Sequence, residues 1–222
     1  GLGISQIAII HCIIIFMIIF AFSRYFLPYK GASNGKAIAT PKGIVTLFGV
    51  LAVISFLGEG GMMDWSGVFL TEAKGVDLSL AGVGYAVFSA AMLIGRLIGD
   101  KVVQKLGEQR VVIFGGIVAS IGYIISIVFD NFFMMQFGFI LLGFGAANIV
   151  PVVFTLLGRQ KEMPINSAVT AVTSMGYLGV MFGPALLGFI AHGIGIVTVF
   201  CILAGLFILQ AIVSSYVFKV LN

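Results

Sequence analysis

One carboxylate lies inside a long apolar stretch of the sequence. Glu59 stands among glycines in residues 58–61, and Asp64 and Trp65 follow near the end of the same stretch. An ionisable side chain is costly in apolar surroundings unless it faces a cavity, a partner or water, so Glu59 is a candidate functional residue. Two structural roles stay open: a protonated, hydrogen-bonded carboxyl, or a residue at the wet rim.

A second apolar stretch has a polar interruption at Asn148, which Gly145 precedes and Pro151 follows. Proline removes a backbone donor, and the asparagine amide adds both donors and acceptors. Gly- or Pro-interrupted helices at corresponding positions of two repeats indicate a solute site near the middle of a membrane. We therefore predict a site on the face shared by Glu59, Met62, Asn148 and Thr155. The alternative is that Asn148 bonds a neighbouring helix and that the glycines only permit close packing.

A third stretch combines hydroxyl groups with small residues. Thr170 and Ser174 belong to a hydroxyl stripe at helical spacing, which either lines a pathway or bonds helix to helix. Further along, Gly179, Gly183 and Pro184 belong to a ridge that allows a close, bent helix crossing. We predict that this ridge is a packing surface.

The composition decides which kind of elements must hold these residues. Of the 222 residues, 60% are hydrophobic and 9% are charged, so the apolar surface exceeds what the core of a water-soluble protein holds. The sequence predicts an all-α membrane protein with about seven spans, at residues 4–22, 44–70, 80–99, 111–129, 132–157, 168–191 and 197–218.

The basic residues predict the orientation. Lys74 alone falls in a loop on one side, and the other lysines and arginines share the opposite side, which is therefore expected to be cytoplasmic. The N-terminus is then outside and the C-terminus inside. A basic, Gly- and Ser-containing linker at residues 28–43 predicts a boundary between one helix at 1–27 and a six-helix domain at 44–222.

The sequence Gly95-Arg96-Leu97-Ile98-Gly99-Asp100 opens the most charged loop, which continues to Gly107 and Arg110. We expect this compact loop at a membrane face. Arg96 and Asp100 are four residues apart, which on a helix brings them close enough to pair.

This loop resembles the one between the second and third helices of each half of major facilitator superfamily transporters. The Gly-x-x-x-Gly-Pro-x-x-x-Gly ridge is similar to a Gly-Pro motif of the same family. Glu-Gly-x-Met-x-Asp-Trp-Ser, followed by Gly-Arg-x-x-Gly-Asp, resembles the bacterial branch related to fucose permease. The resemblance implies that residues 44–222 are the C-terminal half, a 3+3 inverted-repeat bundle, preceded by one helix left from an N-terminal half that the sequence lacks.

The resemblance also implies a function. A small solute, expected to be a sugar, would move by alternating access with proton coupling across a bacterial inner membrane. Glu59 would be the proton-linked carboxyl of this half, and Arg96 and Asp100 would belong to a cytoplasmic gate. The expected partners are the solute, protons, membrane lipid and the N-terminal half.

Other classes of function stay open: an efflux antiporter of small organic compounds, a seven-helix receptor, a channel, or a non-transporting membrane scaffold. No nucleic-acid partner is expected, and the histidines lack the neighbouring ligands that a metal site needs. No catalytic triad or nucleotide loop is recognisable, so neither a cofactor nor enzymatic activity is expected.

Overall fold

The computed structural model describes residues 4–25 and 39–221, and the regular elements within these ranges are all helical. The chain divides into two compact units, residues 1–35 and 36–222. Most of the predicted linker, residues 26–38, lies outside the described residues.

The first unit contains helix α1, Ile4–Phe22, which is followed by a short 3₁₀ turn at Ser23–Tyr25. Its sequence is apolar on all sides, as is typical of a helix surrounded by lipid or by other helices.

The second unit contains eight described helices: α2 Ile44–Val68, α3 Val83–Leu97, α4 Gly99–Leu106, α5 Glu108–Val128, α6 Phe132–Ala146, α7 Ile149–Leu157, α8 Ile165–Ile194 and α9 Ile196–Leu221. They form six stretches that are long and apolar enough to cross a membrane. The all-α membrane fold expected from the composition is therefore confirmed.

Two features of these helices were not predicted from the apolar pattern of the sequence. Helix α2 continues past Val68 as a π-helical turn at Phe69–Ala73, and the short helix α4 follows α3 after Ile98. α4 is amphipathic and carries Asp100 and Lys101 in its first turn. These charged residues therefore lie on a helix that follows the apolar span.

Glycines allow α5 and α6 to touch backbone to backbone. A Cβ atom on Gly122 would lie 2.5 Å from the Gly138 carbonyl oxygen, and one on Gly145 would lie 2.5 Å from the Ala119 nitrogen. Small residues at such crossings let helices gain van der Waals contact in lipid, where the hydrophobic effect does not drive helices together. These two helices form a tightly joined pair.

The glycine ridge of α8 packs on α2. A Cβ on Gly179 would lie 3.1 Å from the Val53 carbonyl oxygen, and one on Gly183 would lie 2.8 Å from a methyl group of Leu57. Pro184 is exposed within the continuous helix. The ridge thus occupies the α2–α8 contact and leaves much of α8 uncovered.

Aromatic rings fill the space between α2, α5 and α9. The ring of Phe69, in the π-helical turn, stacks on Phe200 with centroids 4.1 Å apart. Phe200 also meets Tyr123 edge to face at 5.3 Å. All three side chains are fully buried, so this cluster holds the end of α2 against α5 and α9.

The two ends of the bundle differ in charge. One end, called the basic end here, carries Lys105, Arg110 and Arg159, with Arg159 paired to Glu108 at 2.7 Å. At the opposite end, Lys74 donates to Asp130 at 2.6 Å.

Candidate functional site

Arg96 and Glu59 form an ion pair between α3 and α2. Arg96 Nη2 lies 3.3 Å from Glu59 Oε2. The sequence pattern instead predicted a pair between Arg96 and Asp100, and that prediction is wrong for the described residues. Four-residue spacing joins two side chains only along a continuous helix, and α3 ends at Leu97 before α4 begins at Gly99.

Glu59 lies far from both ends of its span, whereas Arg96 lies in the last turn of α3. At 1.5 Å per residue, Glu59 is roughly 22 Å from Ile44, the first residue of α2. Arg96 is about 20 Å from Val83, the first residue of α3, and one residue from Leu97, the last residue of α3 and of its apolar span. The expectation that Arg96 belongs to a loop is therefore corrected, because it lies in the last turn of α3.

Arg96 also binds the helix break between α6 and α7. Its Nε donates to the Ala147 carbonyl oxygen at 3.4 Å. In a continuous helix this carbonyl would accept from the residue four positions on, but that residue is Pro151, which has no backbone N–H. Pro151 thus leaves an acceptor that the arginine occupies. The break expected around Asn148 is confirmed by the end of α6 at Ala146 and the start of α7 at Ile149.

Asn148 forms a second hydrogen bond between the two breaks, and here the donor lies on the α6–α7 side. Its Nδ2 donates to the Gly95 carbonyl oxygen at 3.0 Å, in the last turn of α3, where carbonyls lack complete intrahelical partners. A Cβ on Gly95 would lie 2.7 Å from that of Ala147, and one on Gly99 would collide with the Asn148 side chain. Two interrupted spans therefore dock at their breaks, and each supplies a side chain to a carbonyl of the other.

The glycines beside Glu59 do not interrupt α2, which is continuous from Ile44 to Val68. A Cβ on Gly58 would collide with the ring of Phe207, and one on Gly61 would lie 2.6 Å from a methyl group of Leu203. These glycines admit side chains of α9. The structure therefore favours the alternative in which these glycines permit close helix packing.

Glu59 is more enclosed than its partner. Its side chain is 11% exposed, and Oε1 is buried without a hydrogen-bond partner among the described residues. The Arg96 side chain is 49% exposed. Next to Glu59, the fully buried Tyr123 hydroxyl donates to the Gly58 carbonyl oxygen at 2.8 Å and ties α5 to this point of α2.

Three of the predicted polar residues line one cavity. Asp100, Asn148 and Thr155 surround a space of about 270 Å³ at the junction of α4 and α7, together with Gln104. The Thr155 hydroxyl donates to the Pro151 carbonyl oxygen at 3.0 Å. Asn148 thus both lines this cavity and bonds the Gly95 carbonyl of α3.

The other predicted residues lie apart from the ion pair. Met62 is fully buried in the core, and the Thr170 hydroxyl donates within α8 to the Asn166 carbonyl oxygen at 2.9 Å. Ser174 is half-buried in the same helix. Gly107, with φ +82°, forms the turn into α5, and Arg110 lines a 530 Å³ cavity at the basic end.

Two groups of the site were not predicted from the sequence, the Tyr123 hydroxyl and the Ala147 carbonyl. Nothing in the pattern singles out Tyr123 within its apolar helix. The Ala147 carbonyl could have been found, since a proline four residues later always leaves a carbonyl without its helical donor. Within the described ranges, no group of three or more His, Cys, Asp or Glu side chains could hold a metal ion.

Comparison with known proteins places the chain among membrane transporters. The family model described as Major Facilitator Superfamily matches residues 48–221. An uncharacterized MFS-type transporter of Yersinia pestis is 42% identical over 194 residues, which are 86% of this chain and 50% of that protein. Membrane protein MosC of Rhizobium meliloti is 30% identical over 150 residues, which are 68% of this chain and 37% of that protein. The chain thus spans half the length of these relatives or less.

Solved structures show the same fold at low sequence identity. The POT family transporter PepTSo has a TM-score of 0.67 and 16% identity, with 81% of this chain and 38% of that chain covered. Tetrameric PepTSo2 has a TM-score of 0.64 and 20% identity, with 80% and 40% covered.

Proposed function

Since this chain belongs to the major facilitator superfamily, we propose that it is the C-terminal half, with one preceding helix, of a proton-coupled secondary transporter for a small solute. It would work by alternating access with an N-terminal half, in a bacterial inner membrane. Residues 1–27 would then be a helix of the other half and residues 28–43 a cytoplasmic linker.

The observation that carries this proposal is the ion pair between Glu59 and Arg96. A half-exposed arginine that contacts Glu59, near the middle of the span Ile44–Ala73, is too costly to face lipid, so its exposed side must meet water or another protein surface. A carboxylate paired to that arginine can exchange the ion pair for a proton, which is what proton coupling requires. The pair is therefore proposed to lie on the solute pathway.

The uncovered helices support a second half as the partner. Helix α8 buries one face on α2 and exposes large apolar side chains elsewhere, including Met181, Phe182 and Phe189. Helix α3 likewise exposes Leu93 and Leu97. The Yersinia pestis relative is about twice as long as the segment that it shares with this chain, which leaves room for a second bundle on these faces.

The docked breaks support a gate. The interrupted span α3–α4 carries Gly95, Arg96 and Asp100. Gly95 and Arg96 contact residues of the interrupted span α6–α7, and Asp100 lines a cavity together with residues of α7. Discontinuous helices are typical of transport sites, and a few residues at helix ends can absorb the backbone changes of a hinge. We propose that the two breaks move together when the cytoplasmic side opens, and that the basic end is cytoplasmic, following the placement of lysine and arginine.

The test is solute-driven proton movement in sealed vesicles. The chain is coexpressed with the remaining half of the Yersinia pestis relative, and a panel of sugars and small organic acids is added outside. A solute that enters with protons makes the medium more alkaline, and one that enters in exchange for protons makes it more acidic. The proposal predicts alkalinisation with both halves and none with this chain alone. A conductance carried by this chain alone would favour a channel.

A further inference from the structure

Arg96 has donors that the protein does not use. A guanidinium carries five N–H groups, and the described structure employs Nη2 toward Glu59 at 3.3 Å and Nε toward Ala147 at 3.4 Å. Both distances lie at or beyond the long end for such bonds, and half of the side chain is exposed. The remaining N–H groups have no other partner in the described part of the chain. Arg96 is therefore able to bind another acceptor.

The charges at this point balance only while Glu59 is ionised. The neighbouring elements add neutral groups: the Tyr123 hydroxyl from α5, the Asn148 amide and the Ala147 carbonyl. Asp100 lines the adjoining cavity but makes no ion pair with Arg96 within the described ranges. When Glu59 takes up a proton, the arginine keeps one positive charge without a counter-charge, and such a charge is costly at this depth.

We propose that the transported solute carries one carboxylate and that this carboxylate replaces Glu59 on Arg96. A proton from water binds Glu59, the ion pair breaks, and the solute carboxylate accepts hydrogen bonds from the guanidinium. On the other side of the membrane the solute leaves, the proton returns to water, and Glu59 binds Arg96 again. One proton moves with one monoanion, so no net charge crosses the membrane.

A carboxylate fits this site better than a phosphate monoester does. Planar, bidentate pairing with arginine suits a carboxylate, and its single charge matches the charge that Glu59 gives up. A phosphate monoester carries about −1.5 to −2 at neutral pH, so its excess charge would stay uncompensated at this depth. This inference rests on the proposed function, of which it specifies the solute class.

The test measures whether a carboxylate protects Arg96 from phenylglyoxal, a reagent that modifies arginine. The chain is held in lipid nanodiscs at pH 8, and modification of Arg96 and of Arg110 is followed by mass spectrometry of peptides. Arg110 is exposed in the same molecule, so its rate corrects for reagent access, ionic strength and folding. Acetate is the probe, and acetamide is its neutral counterpart.

In wild type, Glu59 occupies Arg96, so acetate is expected to change the Arg96 rate little. In Glu59→Gln the arginine is released, and acetate at about twice its Kd should slow modification about threefold relative to Arg110, while acetamide should not. Glu59→Ala, which also lacks the carboxylate, should respond in the same way. Equal effects of acetate and acetamide, or no protection in either variant, would overturn the inference.

A vesicle assay separates this inference from the proposed function. D-glucuronate and D-glucuronamide, which differ in charge, are compared for proton movement with both halves present. If neutral solutes move with protons and Arg96 is not protected, the carboxylate inference fails and the transport proposal stands. If acetate protects Arg96 but no solute moves protons, the anion site stands and the transport proposal fails.

Discussion

Arg96 and Glu59 depend on each other because each supplies the opposite charge that pairs with the other in the described structure. Glu59 Oε1 is buried without a hydrogen-bond partner in the described structure. Arg96 supplies the only opposite charge that pairs with Glu59 there. Removing one member of an enclosed pair costs more than removing both, since the remaining charge keeps its desolvation penalty.

Arg96→Gln is accordingly expected to lower the free energy of unfolding by about 2 kcal/mol. The double variant Glu59→Gln/Arg96→Gln should recover most of that loss. Unfolding of the chain in mixed micelles measures both values. A double variant as unstable as the sum of the two single variants would show that the residues do not interact.

Tyr123 anchors α2 beside Glu59 through one hydroxyl. Tyr123→Phe removes the bond to the Gly58 carbonyl and leaves the ring packing in place, so it should cost about 1 kcal/mol of unfolding free energy. Tyr177→Phe is the matched control, because Tyr177 is exposed. Its effect should stay within about 0.5 kcal/mol. Equal losses from the two variants would contradict the anchoring role.

At the scale of helices, the break in α6–α7 is linked to Arg96 by Pro151. Pro151→Ala restores a backbone N–H four residues after Ala147, which lets the helix compete with Arg96 for that carbonyl. We expect slower amide hydrogen exchange at positions 149–152 and weaker proton-coupled transport, without a loss of stability. Unchanged exchange at these positions would show that the proline does not maintain the break.

The α5–α6 pair depends on backbone contact at its glycines. Gly122→Ala would place a methyl group 2.5 Å from the Gly138 carbonyl oxygen, and such overpacking should cost about 1–3 kcal/mol. Gly205→Ala is the control, since no atom lies within 4 Å of the added Cβ. It should be neutral or stabilising, because alanine favours helix by about 1 kcal/mol over glycine. Thermal unfolding of both variants makes the comparison.

The spans could be predicted because lipid imposes length and apolarity on each of them. The break at Asn148 was also predictable, since Pro151 is visible in the sequence. The partner of Arg96 was not, because spacing along a chain reports local neighbours only. Glu59 is 37 residues away and reaches Arg96 only through antiparallel packing of α2 and α3. The role of the glycines beside Glu59 likewise depends on Phe207 and Leu203, which arrive from the last helix.

At the level of the whole molecule, the exposed apolar faces of α3 and α8 can contact lipid or the second half that we propose. We expect this chain to copurify with the remaining half of the Yersinia pestis relative after coexpression in one membrane. Met181→Lys, on the exposed part of α8, should weaken that association because it buries a charge in the interface. Ile212→Lys is the control, because Ile212 is an exposed residue of α9 that is not part of the proposed interface. Equal weakening by the two variants would argue against α8 as the contact surface.

Solute counterflow tests whether Glu59 couples protons to solute movement. In counterflow, solute exchanges for solute across the vesicle membrane and needs no net proton transfer, whereas accumulation against a gradient does. We expect Glu59→Gln, with both halves present, to retain counterflow and to lose proton-driven accumulation. Proton-driven accumulation equal to that of wild type in this variant would contradict it and assign coupling to another residue.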